Sequence, residues 1–145
     1  MPCGAGQFVV AGLDVGRFHW SGSVAPAMQG IGLLAVVVAL AVAIWAMAVN
    51  PFFSSVIRIQ TDRGHHLITG GPYRYVRHPA YAAAPFLFVG TGLALGSWFA
   101  SLIGVLLVSA ILWRTAREDR VMRDHLAGYD AYAEKVRYRL LPGVW

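Results

Sequence analysis

The sequence predicts an all-α, polytopic membrane protein with about three transmembrane helices and a cytoplasmic, amphipathic C-terminal helix. Three observations carry that prediction. Hydrophobic residues fill 57% of the 145 positions and charged residues only 13%, about half the usual charged share. Two long stretches, 27–49 and 80–113, contain no charged residue. The arginines gather beside these stretches: Arg58, Arg63, Arg74 and Arg77 between them, and Arg114, Arg117, Arg120, Arg123, Arg137 and Arg139 after the second. The net charge of +5 by itself suggests nucleic acid. Basic residues placed against apolar segments, without interleaved aromatics on a soluble face, argue for a membrane instead. Cys3 is the only cysteine, which excludes an intrachain disulfide or a cysteine metal cluster. No signal peptide is expected, because the N-terminus lacks a basic n-region. The length fits a single domain over residues 1–145.

The elements follow in chain order. Residues 1–26, with the cluster GLDVGRFHWS at 12–21, read as an extra-membrane or interfacial segment in which Phe18 and Trp20 suit the headgroup level. A helix over 27–49 would extend roughly 35 Å at ~1.5 Å per residue, enough to span the hydrocarbon core. Asn50–Pro51 ends it, because the residue before proline is pushed out of the helical region. The loop 50–79 turns at Gly64 and at Gly70–Gly71–Pro72. The run 80–113 is too long for one span, and Gly96–Ser97 divides it into hairpin arms of 80–95 and 97–113, with Trp98 at the far interface. Gly90, Gly92, Gly96 and Gly104 would let the arms approach closely. In the tail, 114–145, Val121, Met122, Leu126, Tyr129, Tyr132 and Val136 recur at three- and four-residue spacings. That pattern is an amphipathic helix or helix pair, broken at Gly128. Only Arg17 precedes the first span, so the positive-inside rule puts loop and tail on the cytoplasmic side. The excess of arginine over lysine in an Ala/Gly-rich chain points to a bacterial source, and hence to the inner membrane.

The stretch with most chemistry is Gly70–Tyr81, GGPYRYVRHPAY. Pro79 suits the first turn of a helix and would hold Arg77 and His78 at its mouth. Loop and tail sit at opposite ends of one hairpin on one membrane face, so they are expected to be neighbours. Arg114 and Glu118 are four apart and can pair. Such a carboxylate either balances charge at a helix end or serves a site. His65–His66 lacks a nearby third ligand and reads as solvent-facing, so no metal site is expected. His125 belongs to the polar face of the tail and His19 to the interfacial cluster. Tyr129, Tyr132 and Tyr138 are interface anchors or cofactor contacts.

Taken in order, GPYRYVRHPAY, an uncharged hairpin, RED and GYDAYAEKVRYRLLPG resemble the C-terminal core of the isoprenylcysteine carboxyl methyltransferase and phospholipid methyltransferase superfamily. The resemblance covers Asn50–Trp145. GLDVGRFHWS and NPFFSSVIRIQ are similar to the corresponding segments of bacterial members, which usually carry further spans upstream; on that comparison the chain is a truncated or minimal form. The resemblance implies an integral-membrane methyltransferase using S-adenosylmethionine on a lipophilic acceptor, either an isoprenylcysteine-type carboxylate or a phospholipid amine. Carried over by motif position, the cofactor site comprises Arg77, His78, Pro79, Tyr81, the paired acids Glu118 and Asp119, and Tyr132. Glu118 would accept the cofactor ammonium, Arg77 or His78 would meet its carboxylate, and the tyrosines would pack around adenine. Arg114 and Glu118 are the catalytic candidates, Arg114 orienting the acceptor or keeping Glu118 ionised. Methyl transfer is an in-line displacement, so alignment is the main demand. A carboxylate acceptor needs no general base, whereas an amine must be unprotonated.

Two positions depart from the family pattern. Asp119 is shorter than the usual glutamate, and HPAYAA places Ala83 where the family has glycine, adding a methyl at a point of close approach. Two other readings stand beside this one. Sterol reductases of the membrane share a similar RHPxY element and bind NADPH, whose phosphates would use the many arginines. A small non-catalytic membrane subunit would result if Ala83 closed the pocket. The sequence assigns no oligomeric state.

Overall fold

Proline and glycine divide the chain into helices, and every regular element among the described residues is helical. In a computed structural model of the chain, residues 3–54 and 61–145 are described. Arg58 and the end of the NPFFSSVIRIQ segment lie outside them. The helices are α1 (Cys3–Leu13), α2 (Pro26–Val49), α3 (Pro79–Ala82), α4 (Ala84–Ala94), α5 (Trp98–His125) and α6 (Tyr129–Lys135), with short 3-10 turns at Thr61–Arg63 and Gly71–Arg74. Two of them, α2 and α5, are long and apolar enough to cross a membrane. The chain forms two compact units, one from residues 1–41 and 83–111, the other from 42–82 and 112–145.

The first unit is held together by close helix contact. Gly96, at φ 75°, makes the turn between α4 and α5, a left-handed conformation that glycine adopts without a Cβ penalty. A Cβ on Gly92 would lie 2.2 Å from the Ser101 amide nitrogen, and one on Gly104 would lie 2.6 Å from the Phe88 carbonyl. These glycines let the two backbones touch, as the sequence predicts. Gly32 of α2 does the same against α4, where a Cβ would meet the Ala94 amide at 2.6 Å. Residues 3–18 form α1 and a π-helical turn over Asp14–Phe18. Two of their polar groups, Gln7 and Asp14, are buried. Gln7 is 1% exposed and donates from Nε2 to the carbonyls of Phe88 and Ala100, the latter at 3.0 Å. Asp14, also buried, accepts from the Ser21 amide at 2.8 Å and from the Ser21 and Ser97 hydroxyls. A buried polar group must be paired, and these pairings fasten α1 to the hairpin turn.

Two further boundaries depart from the sequence expectation. The arm placed at 80–95 is interrupted, with α3 ending at Ala82 and α4 starting at Ala84. Pro85 stands in the first turn of α4 and has no N–H to donate to the carbonyl four residues back, which interrupts the helix at Ala83. The resulting α4 has 11 residues. Among the described residues α2 and α5 have spanning length, and Pro79–Ala94 is apolar but shorter. The arm placed at 97–113 does not stop there but runs on to His125. The charged tail begins as the end of α5, and only α6, with seven residues, is a separate helix. Gly128 does make the break, at φ 81°.

In the second unit α2 ends as its sequence dictates: the Asn50 side chain accepts from the Phe52 amide at 2.9 Å, turning the chain, and its Nδ2 donates to the Tyr73 hydroxyl at 3.1 Å. Gly71 has φ 56°, and a Cβ there would lie 2.9 Å from Val49, so both backbone and packing call for glycine. Leu126, Tyr129, Tyr132 and Ala133 form a buried cluster on which Leu67, Met122 and Val136 pack. Loop and tail are neighbours, as expected: the amides of Arg77 and His78 donate to the carbonyls of Tyr138 and Arg139 at 3.0 and 2.9 Å.

Candidate functional site

The RHP triplet is fixed by the second unit on every side. Pro79 opens α3 and is buried, which suits a residue with no amide proton at a helix start. Arg77 is 5% exposed. Its Nη1 donates to the carbonyls of Val136 and Arg137, both at 2.8 Å. Its Nε and Nη2 reach the two oxygens of Asp119 at 2.8 and 3.3 Å. The side chain named as a partner for a cofactor carboxylate thus ties loop, α5 and tail together.

Asp119 is the centre of this network. At 1% exposure it also accepts from the Tyr129 hydroxyl at 2.8 Å and from Arg139 Nε at 3.0 Å, and it lies 3.4 Å from Arg123 Nε and from His78 Nε2. Three arginines and a tyrosine converge on one carboxylate, which satisfies the condition for burying its charge. The short aspartate side chain reaches this cluster from the wall of α5.

Glu118 faces differently. Its Oε2 accepts from the Tyr81 hydroxyl at 2.8 Å, and that hydroxyl accepts in turn from Arg114 Nε at 2.9 Å. The direct Arg114–Glu118 separation is 4.0 Å, so the expected ion pair is made chiefly through the tyrosine between them. The adjacent acids of RED therefore divide their work, because neighbouring positions on a helix point about 100° apart.

A cleft opens beside these groups. It is lined by Asn50, Phe52, His65, His66 and Tyr73 from the loop, by His78, Pro79 and Tyr81, and by Glu118, Tyr129 and Tyr132. Of the residues named from the sequence, Arg77, His78, Pro79, Tyr81, Glu118 and Tyr132 reach it. Arg114 acts on it through Tyr81, and Asp119 lies behind it. Tyr132 is buried, donating to the Tyr73 carbonyl at 2.6 Å, with its ring edge-on to Tyr129 at 5.7 Å. Burial raises the Tyr132 phenol. Burial and then the Asp119 charge raise that of Tyr129. Both stay protonated donors at neutral pH.

Phe52 and the two histidines escaped the sequence reading as a site. The Phe52 ring stacks on His65 at 4.5 Å and 27°, and meets His66 edge-on at 5.0 Å. His65 and His66 were expected to face solvent; His66 is exposed, but His65 is half-buried against the phenylalanine, and burial lowers its pKa, with His66 adding to the effect. The signal was present in the loop as an aromatic just after a helix stop and a histidine pair. What joins them is a fold-back of the chain that spacing alone does not reveal. Among the described residues no group of three or more His, Cys, Asp or Glu side chains is arranged to hold a metal ion.

Comparison with known proteins agrees with this architecture. A family model described as phospholipid methyltransferase matches residues 28–128. Over 90 residues the chain is 31% identical to a protein-S-isoprenylcysteine O-methyltransferase of Schizosaccharomyces pombe, covering 58% of this chain and 36% of that protein. It is 33% identical to a probable protein-S-isoprenylcysteine O-methyltransferase of Oryza sativa subsp. indica, covering 58% and 45%. The chain thus spans less than half the length of the curated relatives it matches. The solved structure of a eukaryotic intramembrane Ras methyltransferase, ICMT (isoprenylcysteine carboxyl methyltransferase), superposes with a TM-score of 0.78 at 18% identity, over 98% of this chain and 51% of that one. The fold is shared with that structure, and α2 and α5 of this chain are long and apolar enough to cross a membrane.

Proposed function

Because the chain belongs to the phospholipid methyltransferase family, we propose that it is an integral-membrane methyltransferase that uses S-adenosylmethionine on a lipophilic acceptor. The observation that carries this reading is the Glu118 carboxylate, held at the cleft by the Tyr81 hydroxyl beside a flat aromatic wall of Phe52 and His65. The residues fit the cofactor. Glu118 offers an acceptor for an ammonium, and Phe52, His65 and the tyrosines offer surface for a planar base. When bound, S-adenosylmethionine supplies a methyl group on a sulfonium, open to in-line attack.

The chain's own residues bind and align. Arg114 and Tyr81 orient Glu118, the arginine donating to the tyrosine hydroxyl and that hydroxyl to the carboxylate. Asp119, through Arg77 and His78, sets the RHP segment and so the mouth of α3. Arg77 lines the cleft but serves this framework, its guanidinium being taken up by Asp119 and the carbonyls of Val136 and Arg137. No residue need act as a general base if the acceptor is a carboxylate; an amine must arrive neutral. The named relatives favour an isoprenylcysteine-type carboxylate, and a phospholipid amine is the second class, on the family description. The loop and tail face the cytoplasm, where the soluble donor is, across an inner membrane if the arginine-rich composition marks a bacterial source.

The test is binding of S-adenosylhomocysteine to the purified chain in detergent, with Glu118→Gln as control, followed by methyl transfer to a farnesylcysteine analogue and to phosphatidylethanolamine. Saturable binding lost in the variant supports the reading. Absence of binding by a folded chain overturns it.

A further inference from the structure

A second concavity of the same unit lies on the tail and is lined by Arg77, Arg123, Arg137, Tyr138, Arg139 and Trp145. Its volume is about 430 Å³. Four guanidinium groups meet there, and their charge is only partly answered. Asp119 is shared among Arg77, Arg123 and Arg139, and it is buried beneath them at 1% exposure. Asp130, the other nearby acid, pairs with Arg123 Nη1 at 3.2 Å. Two carboxylate side chains therefore face four guanidinium groups, and the buried Asp119 is not among the residues lining the opening. Arg139 lies over the Trp145 ring at 4.8 Å, which holds its guanidinium in place without cancelling its charge. Arg137 is exposed, and among the described residues its side chain makes no ion pair.

We propose that this arginine-lined concavity binds a phosphate group, as borne by the headgroup of an anionic phospholipid. Planar guanidinium forks match phosphate oxygens in pairs, and the two aromatic rings give the site the amphipathic rim that suits the membrane–water boundary. A basic residue close to an anionic bilayer contributes about 1 kcal/mol, or roughly fivefold in affinity. The concavity is distinct from the cleft of Glu118, Arg77 being the one lining residue they share, and the proposal stands whether or not that cleft binds S-adenosylmethionine. It is linked to the RHP framework all the same, because Arg123 and Arg139 hold both the anion and Asp119.

The experiment reconstitutes the full chain in nanodiscs of phosphatidylcholine alone, or with phosphatidylglycerol, and follows thermal unfolding at matched ionic strength. Inorganic phosphate is titrated into the phosphatidylcholine discs, with chloride as control. Arg137→Glu is the main variant, because its side chain is exposed and the backbone carbonyl that Arg77 uses is retained. Arg137→Ala is the milder check, with an expected loss of about fivefold in apparent affinity. A rise in unfolding temperature with phosphatidylglycerol, reduced in both variants, assigns the site to lipid. A rise with phosphate alone, likewise reduced, assigns the same chemistry to a soluble phosphate. No rise with either anion, or a rise that survives Arg137→Glu, overturns the proposal.

Discussion

Replacing Asp119 with asparagine tests the division of labour between the paired acids. The substitution keeps the shape but removes the charge that Arg77 faces at 2.8 Å. Arg77 and Asp119 side chains are 4% and 1% exposed, so neither is solvated, and the arginine would be left buried without a counter-ion. Breaking one side of a buried pair costs about 3–5 kcal/mol. Arg123 and Arg139 add little to that figure, since they are 41% and 31% exposed and water takes over their solvation. The asparagine NH2 would also take the place of one oxygen, facing either the Tyr129 donor at Oδ1 or the Arg139 donor at Oδ2. Against a typical net stability of about 5–15 kcal/mol, Asp119→Asn should lose a large share of its folded population at modest denaturant. The assay is unfolding in mixed micelles as a function of SDS mole fraction, with and without S-adenosylhomocysteine. A loss under about 1 kcal/mol would refute the buried-pair argument, and a loss seen only with cofactor present would return Asp119 to the role of a direct ligand.

Glu118→Gln should behave in the opposite way. Its side chain is 18% exposed, and loss of a charge-assisted hydrogen bond of about 1.5–3 kcal/mol should weaken S-adenosylhomocysteine binding roughly 10- to 100-fold by calorimetry, with unfolding little changed. Tyr81→Phe removes the hydroxyl that joins Arg114 to Glu118; about 1 kcal/mol, or roughly fivefold in the same affinity, is the expected effect. Gly92→Ala places a methyl 2.2 Å from the Ser101 amide and should destabilise by about 1–3 kcal/mol or more. Gly30→Ala in α2, which meets nothing within 4 Å, should be neutral or stabilising in the same unfolding assay. The raised phenols of Tyr129 and Tyr132 set an alkaline limit. Their contribution is full below about pH 10, the unfolded value, and is lost as pH climbs toward the higher folded values, because the unfolded state then releases the protons more readily. Unfolding midpoints followed from pH 8 upward should stay level to about pH 10 and then fall.

Short-range rules were enough for much of this molecule. Apolar runs long enough to span a bilayer, a proline that stops α2 after Asn50, and a glycine turn at Gly96 all act within a few residues, so they can be read directly along the chain. The motif GPYRYVRHPAY and the first acid of RED also marked residues that line the cleft, because they bring unusual polar chemistry to the edge of apolar sequence. Three matters lay beyond such rules. Whether α5 stops at Trp113 or continues to His125 depends on which face of its charged half is buried, and Asp119 is buried where Arg77 of the loop and Tyr129 and Arg139 of the tail close on it. Nothing in the sequence pairs residues 3–18 with the hairpin, yet Gln7 and Asp14 find partners at Phe88, Ser97 and Ala100, more than eighty positions away. The roles of Glu118 and Asp119 differ for the same reason. They are adjacent in the chain and alike in chemistry, and only the packing of Tyr81 on one side and of Arg77, Tyr129 and Arg139 on the other makes one a cleft group and the other a buried anchor.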